Sequence, residues 1–129
     1  MKKPEYIEQA IASALKESPD VSAICDGRIF PIKIPQNTIL PSAIYQRIHS
    51  NPDHTLLGYS SEAVTVMVNC FSVSYIEAKD LALAIRGAMA AAPVNGILQN
   101  EIDLHEDDSD VYCISAEYLC QQSGGYCHG

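Results

Sequence analysis

Apolar residues recur along this chain of 129 residues at two spacings, three to four apart in two stretches and two apart in four others. Residues 5 to 17 place Ile7, Ile11, Ala14 and Leu15 on one face, with Pro4 suited to a first turn and Pro19 past the end, which predicts an amphipathic helix. Asp20 to Cys25 predicts one further helical turn packed through Val21 and Ile24, and Asp26-Gly27 a tight turn after it. Arg28 to Phe30 reads as a short strand. Residues 31 to 41 carry Pro31, Pro35 and Pro41, whose missing amide donors exclude a central strand, so they read as an extended loop.

The first alternating stretch, residues 43 to 49, sets Ile44 and Ile48 against Tyr45, Arg47 and His49 and predicts a half-buried strand. Residues 50 to 60 mix turn formers with Leu56 and Leu57 and read as a loop that touches a partner. From Glu62 to Val73 the alternation is longest. Val64, Val66, Val68 and Cys70 line one side of it, and Thr65, Met67, Asn69 and Phe71 the other. A strand with a second face only partly polar points to another layer or a partner subunit. Ser74-Tyr75-Ile76-Glu77 matches a capping box, and Ala78, Leu81, Ala82, Ile85 and Met89 continue it as a helix that Pro93 and Asn95-Gly96 end. Two last alternating runs, 97 to 105 through Leu98, Ile102 and Leu104 and 111 to 120 through Tyr112, Ile114, Ala116, Tyr118 and Cys120, predict a hairpin around the acidic turn 106 to 110. The expected fold is α+β: a mainly antiparallel sheet of four to five strands with two main helices, one domain over residues 1–120 and a loose tail at 121–129.

Composition narrows what such a domain can do. Sixteen acidic residues against eight basic ones give a formal charge of −8, which repels a phosphate backbone and disfavours sequence-reading nucleic-acid binding. Glu8 and Gln9 interrupt the apolar core that a signal peptide needs, and no stretch approaches the ~20 apolar residues of a membrane helix, so a soluble cytoplasmic chain is expected. The five cysteines, Cys25, Cys70, Cys113, Cys120 and Cys127, are odd in number and contain no Cys-x-x-Cys pair, which argues for reduced thiols. Cys113, Cys120, Cys127 and His128 are of zinc-ligand type, but on a strand Cys113 and Cys120 point to opposite faces. The acidic turn lacks the ligand pattern of a calcium loop, the four histidines fall on separate elements, and no phosphate-cradling glycine loop is present. Neither cofactor nor catalytic residue is expected.

The segments themselves, in order, resemble the tail-completion, or tail-terminator, proteins of long-tailed bacteriophages. The likeness rests on Gly27-Arg28-Ile29-Phe30-Pro31, Leu40-Pro41, Tyr45-Gln46-Arg47, Thr55 and Gly58, Val66 to Phe71, and Tyr75 with Glu77-Ala78, and it spans residues 5 to 118. It implies a virion assembly protein: a ring, often of six copies, that caps the tail tube at the head-proximal end and offers a head-joining surface. Implied partners are further copies of the chain, the tail-tube protein, and a head-completion or connector protein, with DNA passing through the lumen and no membrane. The candidate interface residues are Arg28, Arg47, Asn51, Asp53, His54, Leu56, Leu57, Tyr59, Met67 and Phe71, with the two arginines as ion-pair partners between subunits. The residues also allow a second expectation, a small cytoplasmic module that binds a protein or ligand on the second face of residues 63 to 73.

Overall fold

A computed structural model describes residues 6–54 and 60–123. The elements run α1 (Ile7–Glu17), α2 (Pro19–Cys25), β1 (Ile29–Pro31), β2 (Ser42–His54), β3 (Ser60–Ser72), α3 (Tyr75–Ala90), β4 (Ile97–Glu106) and β5 (Val111–Ser123). The five strands form one sheet in the order β1-β2-β3-β5-β4, antiparallel throughout except for β1 with β2. The α+β expectation holds, and the short helical turn expected at Asp20 to Cys25 is α2.

Local chemistry sets the helix ends. The Gln9 side chain accepts the Tyr6 amide at 2.8 Å ahead of α1, and the Ser18 hydroxyl accepts the Val21 amide at 3.4 Å at the start of α2. α2 ends at Asp26, whose φ of 51° with 76° at Gly27 makes the left-handed turn that the Asp-Gly pair predicts. At α3 the Ser74 hydroxyl accepts the Glu77 amide at 3.3 Å, as a capping box requires. Its reciprocal bond is relayed: the Ser74 amide donates to the Ser72 hydroxyl at 3.0 Å, and that hydroxyl donates to the Glu77 carboxylate at 2.7 Å.

All three helices cover one face of the sheet. Ile7, Ile11 and Leu15 of α1, Val21 and Cys25 of α2, and Ala78, Leu81, Ala82, Ile85 and Met89 of α3 bury against Val64, Val66, Val68, Cys70, Ile114, Ala116, Tyr118 and Cys120. The apolar stripes predicted for both long helices and for β3 and β5 are therefore core.

Two strands depart from simple alternation. β2 runs to His54, five residues past the predicted end at 49, and its register against β3 shifts between Arg47 and His49. Before the shift Ala43, Tyr45 and Arg47 share the face of Val68 and Val66; after it Ser50 pairs with Val64, so Ile48 is the extra residue of a bulge. The expected placing of His49 on the face opposite Ile44 is thus corrected, since His49 pairs with Thr65 and Ile44 with Asn69, which share one face of β3. The helix side takes the fully buried Ala43, and Ile44 lies on the opposite face. β4 likewise shifts register between Leu98 and Asn100, so Leu98 faces the helices while Ile102 and Leu104 face away, although the sequence pattern grouped the three. β5 continues to Ser123, three residues beyond the end expected at 120.

Candidate functional site

The face of the sheet turned away from the helices is built by cross-strand rows that the register fixes. Ser42, Phe71, Cys113 and Leu104 form one row, Ile44, Asn69, Ser115 and Ile102 the next, and Gln46, Met67, Glu117 and Asn100 a third. Among the described residues no helix covers this face, yet Thr65, Met67, Asn69 and Phe71 are half-buried. The loop between β1 and β2 and the end of the β4–β5 hairpin supply walls. Between them lies a concavity of about 590 Å³ lined by Ile34, Leu40, Phe71, Leu104, Val111 and Cys113, among others.

Two features of the concavity bear on chemistry. Asn69 lines it with a buried side-chain oxygen that has no hydrogen-bond partner among the described residues. Burial pushes the Cys113 thiol up to about 11, so it behaves as a small apolar group and not as a nucleophile. Cys120 points the other way into the helix-side core, also pushed up to about 11, as the odd spacing requires. No cluster of three metal-ligating side chains occurs among the described residues.

The sequence-derived candidates separate into three groups. Met67 and Phe71 lie on the open face, as proposed from their alternation. Asn51, Asp53 and His54 belong to strand β2 and not to a loop, a correction that follows from the longer β2–β3 ladder. Leu56, Leu57 and Tyr59 lie outside the described residues. Arg28 and Arg47, expected as ion-pair partners between subunits, both have partners within the chain. The Arg28 Nε–H donates to the Pro41 carbonyl at 3.0 Å, holding the start of β2 beside β1. Arg47 forks onto Glu8 of α1 through Nε and an amino nitrogen, each 2.9 Å from a carboxylate oxygen, and ties the first helix to the sheet.

The negative charge of the hairpin extends well beyond the acidic turn 106 to 110. Residues 87–129 hold seven carboxylates and no Lys or Arg, so they account for −7 of the −8, and residues 1–86 are nearly neutral. This segregation is visible in the sequence once charge is counted by segment. In the structure it concentrates on the outer strand β4 and the turn after it. Lys79 of α3 reaches Glu101 at 3.7 Å and Asp103 at 3.5 Å, and the Tyr75 hydroxyl donates to Asp103 at 2.6 Å, which clips β4 to the helix layer. His105 bridges Asp107 at 3.1 Å and Asp110 at 2.8 Å across the turn, and these carboxylates raise its pKa above the ordinary value. No helix among the described residues is long and apolar enough to cross a membrane.

No curated protein sequence matches the chain. Among solved structures it is similar in fold to a chain of the virion of a native gene transfer agent particle, with a TM-score of 0.63 at 10% identity, covering 88% of this chain and 92% of the other. A family model described as Tail completion protein gp17 matches residues 9–114, which takes in α1 from Gln9, all of α2 and α3, and the sheet as far as the buried Ile114 of β5. The chain belongs to this tail completion family of bacteriophages and is a structural virion protein of tail assembly, not an enzyme.

Proposed function

We propose that the chain is a tail terminator: copies form a ring, six in number, that caps the finished tail tube at its head-proximal end and offers the surface to which the head joins. The family match over residues 9–114 carries this reading. The geometry supports it, since a subunit with one face buried by helices and a second apolar face left open is built to pack against neighbours. Met67 and Phe71 on that face, with Asn51, Asp53 and His54 of β2 and, further along the sequence, Leu56, Leu57 and Tyr59, are the residues assigned to contacts with the ring or the tube. The remaining partners are the tail-tube protein and a head-completion or connector protein, met in the host cytoplasm during assembly. Six copies at −8 each carry a formal charge of about −48, and a lumen of that sign lets DNA pass without sticking.

Electron microscopy of lysates tests this directly. A phage lacking the gene is expected to leave filled heads beside unattached or overlong tails, and a plasmid copy should restore joined virions. Normal virions in the deletion strain would overturn the reading.

A further inference from the structure

Among the described residues the sheet has two free edges, and they differ in kind. At one end β4 presents ten residues whose outer amides and carbonyls meet no further strand among those described. It contains no proline or lysine to blunt it; the bulge at Gln99 and the carboxylates of Glu101, Asp103 and Glu106 are what guard it against a second β4. Ile97, Ile102 and Leu104 along it are 62%, 54% and 48% exposed. At the other end β1 is three residues long, and the loop after it exposes Ile32 and Ile39 to 63% and 69%.

Charge decides which edge can meet which. Residues 97–110 carry six carboxylates and no Lys or Arg, and of these Glu106 and Asp108 are exposed and form no ion pair among the described residues. Residues 29–40 carry Lys33 and no carboxylate, and Lys33 too is exposed without an ion pair among the described residues. Two β4 edges brought together would set acidic stretches against each other, and a pair of β1 edges offers little backbone, because Pro31 and Pro35 lack amides. Only the crossed combination sets exposed isoleucines against isoleucines with opposite charge beside them.

We propose that copies of this chain join head to tail, the β4 edge of one against the β1 edge and the 32–40 loop of the next. The contact is heterologous, so repeated application generates a ring or an open helix and not a closed dimer. Side chains dominate it, since the prolines limit backbone pairing. The proposal draws on the terminator reading only for closure of the ring; the contact itself rests on the two edges.

Sedimentation of the purified chain, concentrated to about 1 mM to reveal weak contacts, is the test. The wild type is expected to self-associate, and Lys33→Glu to weaken this about fivefold at low salt and less at high salt. Glu106→Lys with Asp108→Lys should weaken it similarly, and combining all three changes in one chain should restore it. Polarity follows from mixing. Ile39→Asp disables one edge and Ile102→Asp the other, so each alone should be monomeric, and an equimolar mixture should stop at a 1:1 heterodimer, which also shows that both fold. Should either aspartate variant lose its circular dichroism signal, Ile39→Ser and Ile102→Thr replace them. A wild type monomeric at this concentration, a variant that associates as well as wild type, or a folded mixture that stays monomeric would overturn the proposal. None of these results touches the terminator reading, which the deletion phenotype decides separately.

Discussion

Tyr118 offers a test of the core in which taking an atom away should help. Its ring is 1% exposed and sits on the helix side of β5, opposite Val66 of β3 and Leu98 of β4. Its hydroxyl is buried with no hydrogen-bond partner among the described residues, and burial holds its pKa far above the usual phenol value. A buried hydroxyl without a partner costs about 1–3 kcal/mol relative to its hydrated state in the unfolded chain. Tyr118→Phe removes that cost and keeps the ring. It leaves a gap the size of one oxygen, about 10 Å³, worth roughly 0.2 kcal/mol at the cavity rate. The balance favours the variant by about 1 kcal/mol. Urea denaturation followed by circular dichroism should show a midpoint about 0.5 M higher with an unchanged slope. Tyr118→Ala, which empties the whole site, should cost about 3–5 kcal/mol. A loss of stability in Tyr118→Phe would refute the reasoning, because it would mean that the hydroxyl is hydrogen-bonded in solution.

Three further outcomes follow from other groups. Breaking the Glu8–Arg47 fork by Arg47→Ala should cost about 1–2 kcal/mol, and a double-mutant cycle with Glu8→Gln should give a coupling near 1 kcal/mol; no coupling would mean that the fork does not anchor α1. His105 has a raised folded pKa, so its contribution is fully present below the unfolded value of about 6.5 and is lost as pH rises through the folded one. The stability of wild type over His105→Gln should therefore shrink between about pH 6 and 8, and a difference that grows across that window would contradict the bridge to Asp107 and Asp110. Cys25, Cys70, Cys113 and Cys120 are buried with raised pKa values, so a Cys127→Ser chain should react with a thiol reagent at about pH 8 no faster than it unfolds.

The elements legible in the sequence were those in which one periodicity runs unbroken. The stripes from Ile7 to Leu15 and from Ala78 to Met89, and the valines of β3, need only a constant period to reveal the buried face, and the structure buries them. Where a bulge inserts one residue, the period is kept on each side but its phase flips, and a reading that carries the phase across is wrong by a whole face. That is why alternation alone sets His49 opposite Ile44, and why it groups Leu98 with Ile102 and Leu104. Neither bulge sits at a glycine or proline that would have marked it: the extra residues are Ile48 and Gln99.

The same argument bears on the open face. Met67 and Phe71 could be chosen from sequence because β3 alternates without interruption on both sides, but their neighbours Ile44, Ile102 and Leu104 come from the two bulged strands. Cys113 escaped for a different reason, since only its chemistry as a ligand was weighed and not its place in a row with Phe71 and Leu104. Arg28 and Arg47 show the converse limit. A sequence can offer a guanidinium for pairing, but Pro41 and Glu8 lie 13 and 39 residues away, and only the fold brings them within 3.0 Å. With both arginines engaged inside the subunit, Lys33 is left as the cation on the β1 margin without an ion pair among the described residues, and the partner surface must be sought opposite it, in the acidic edge of a neighbouring copy.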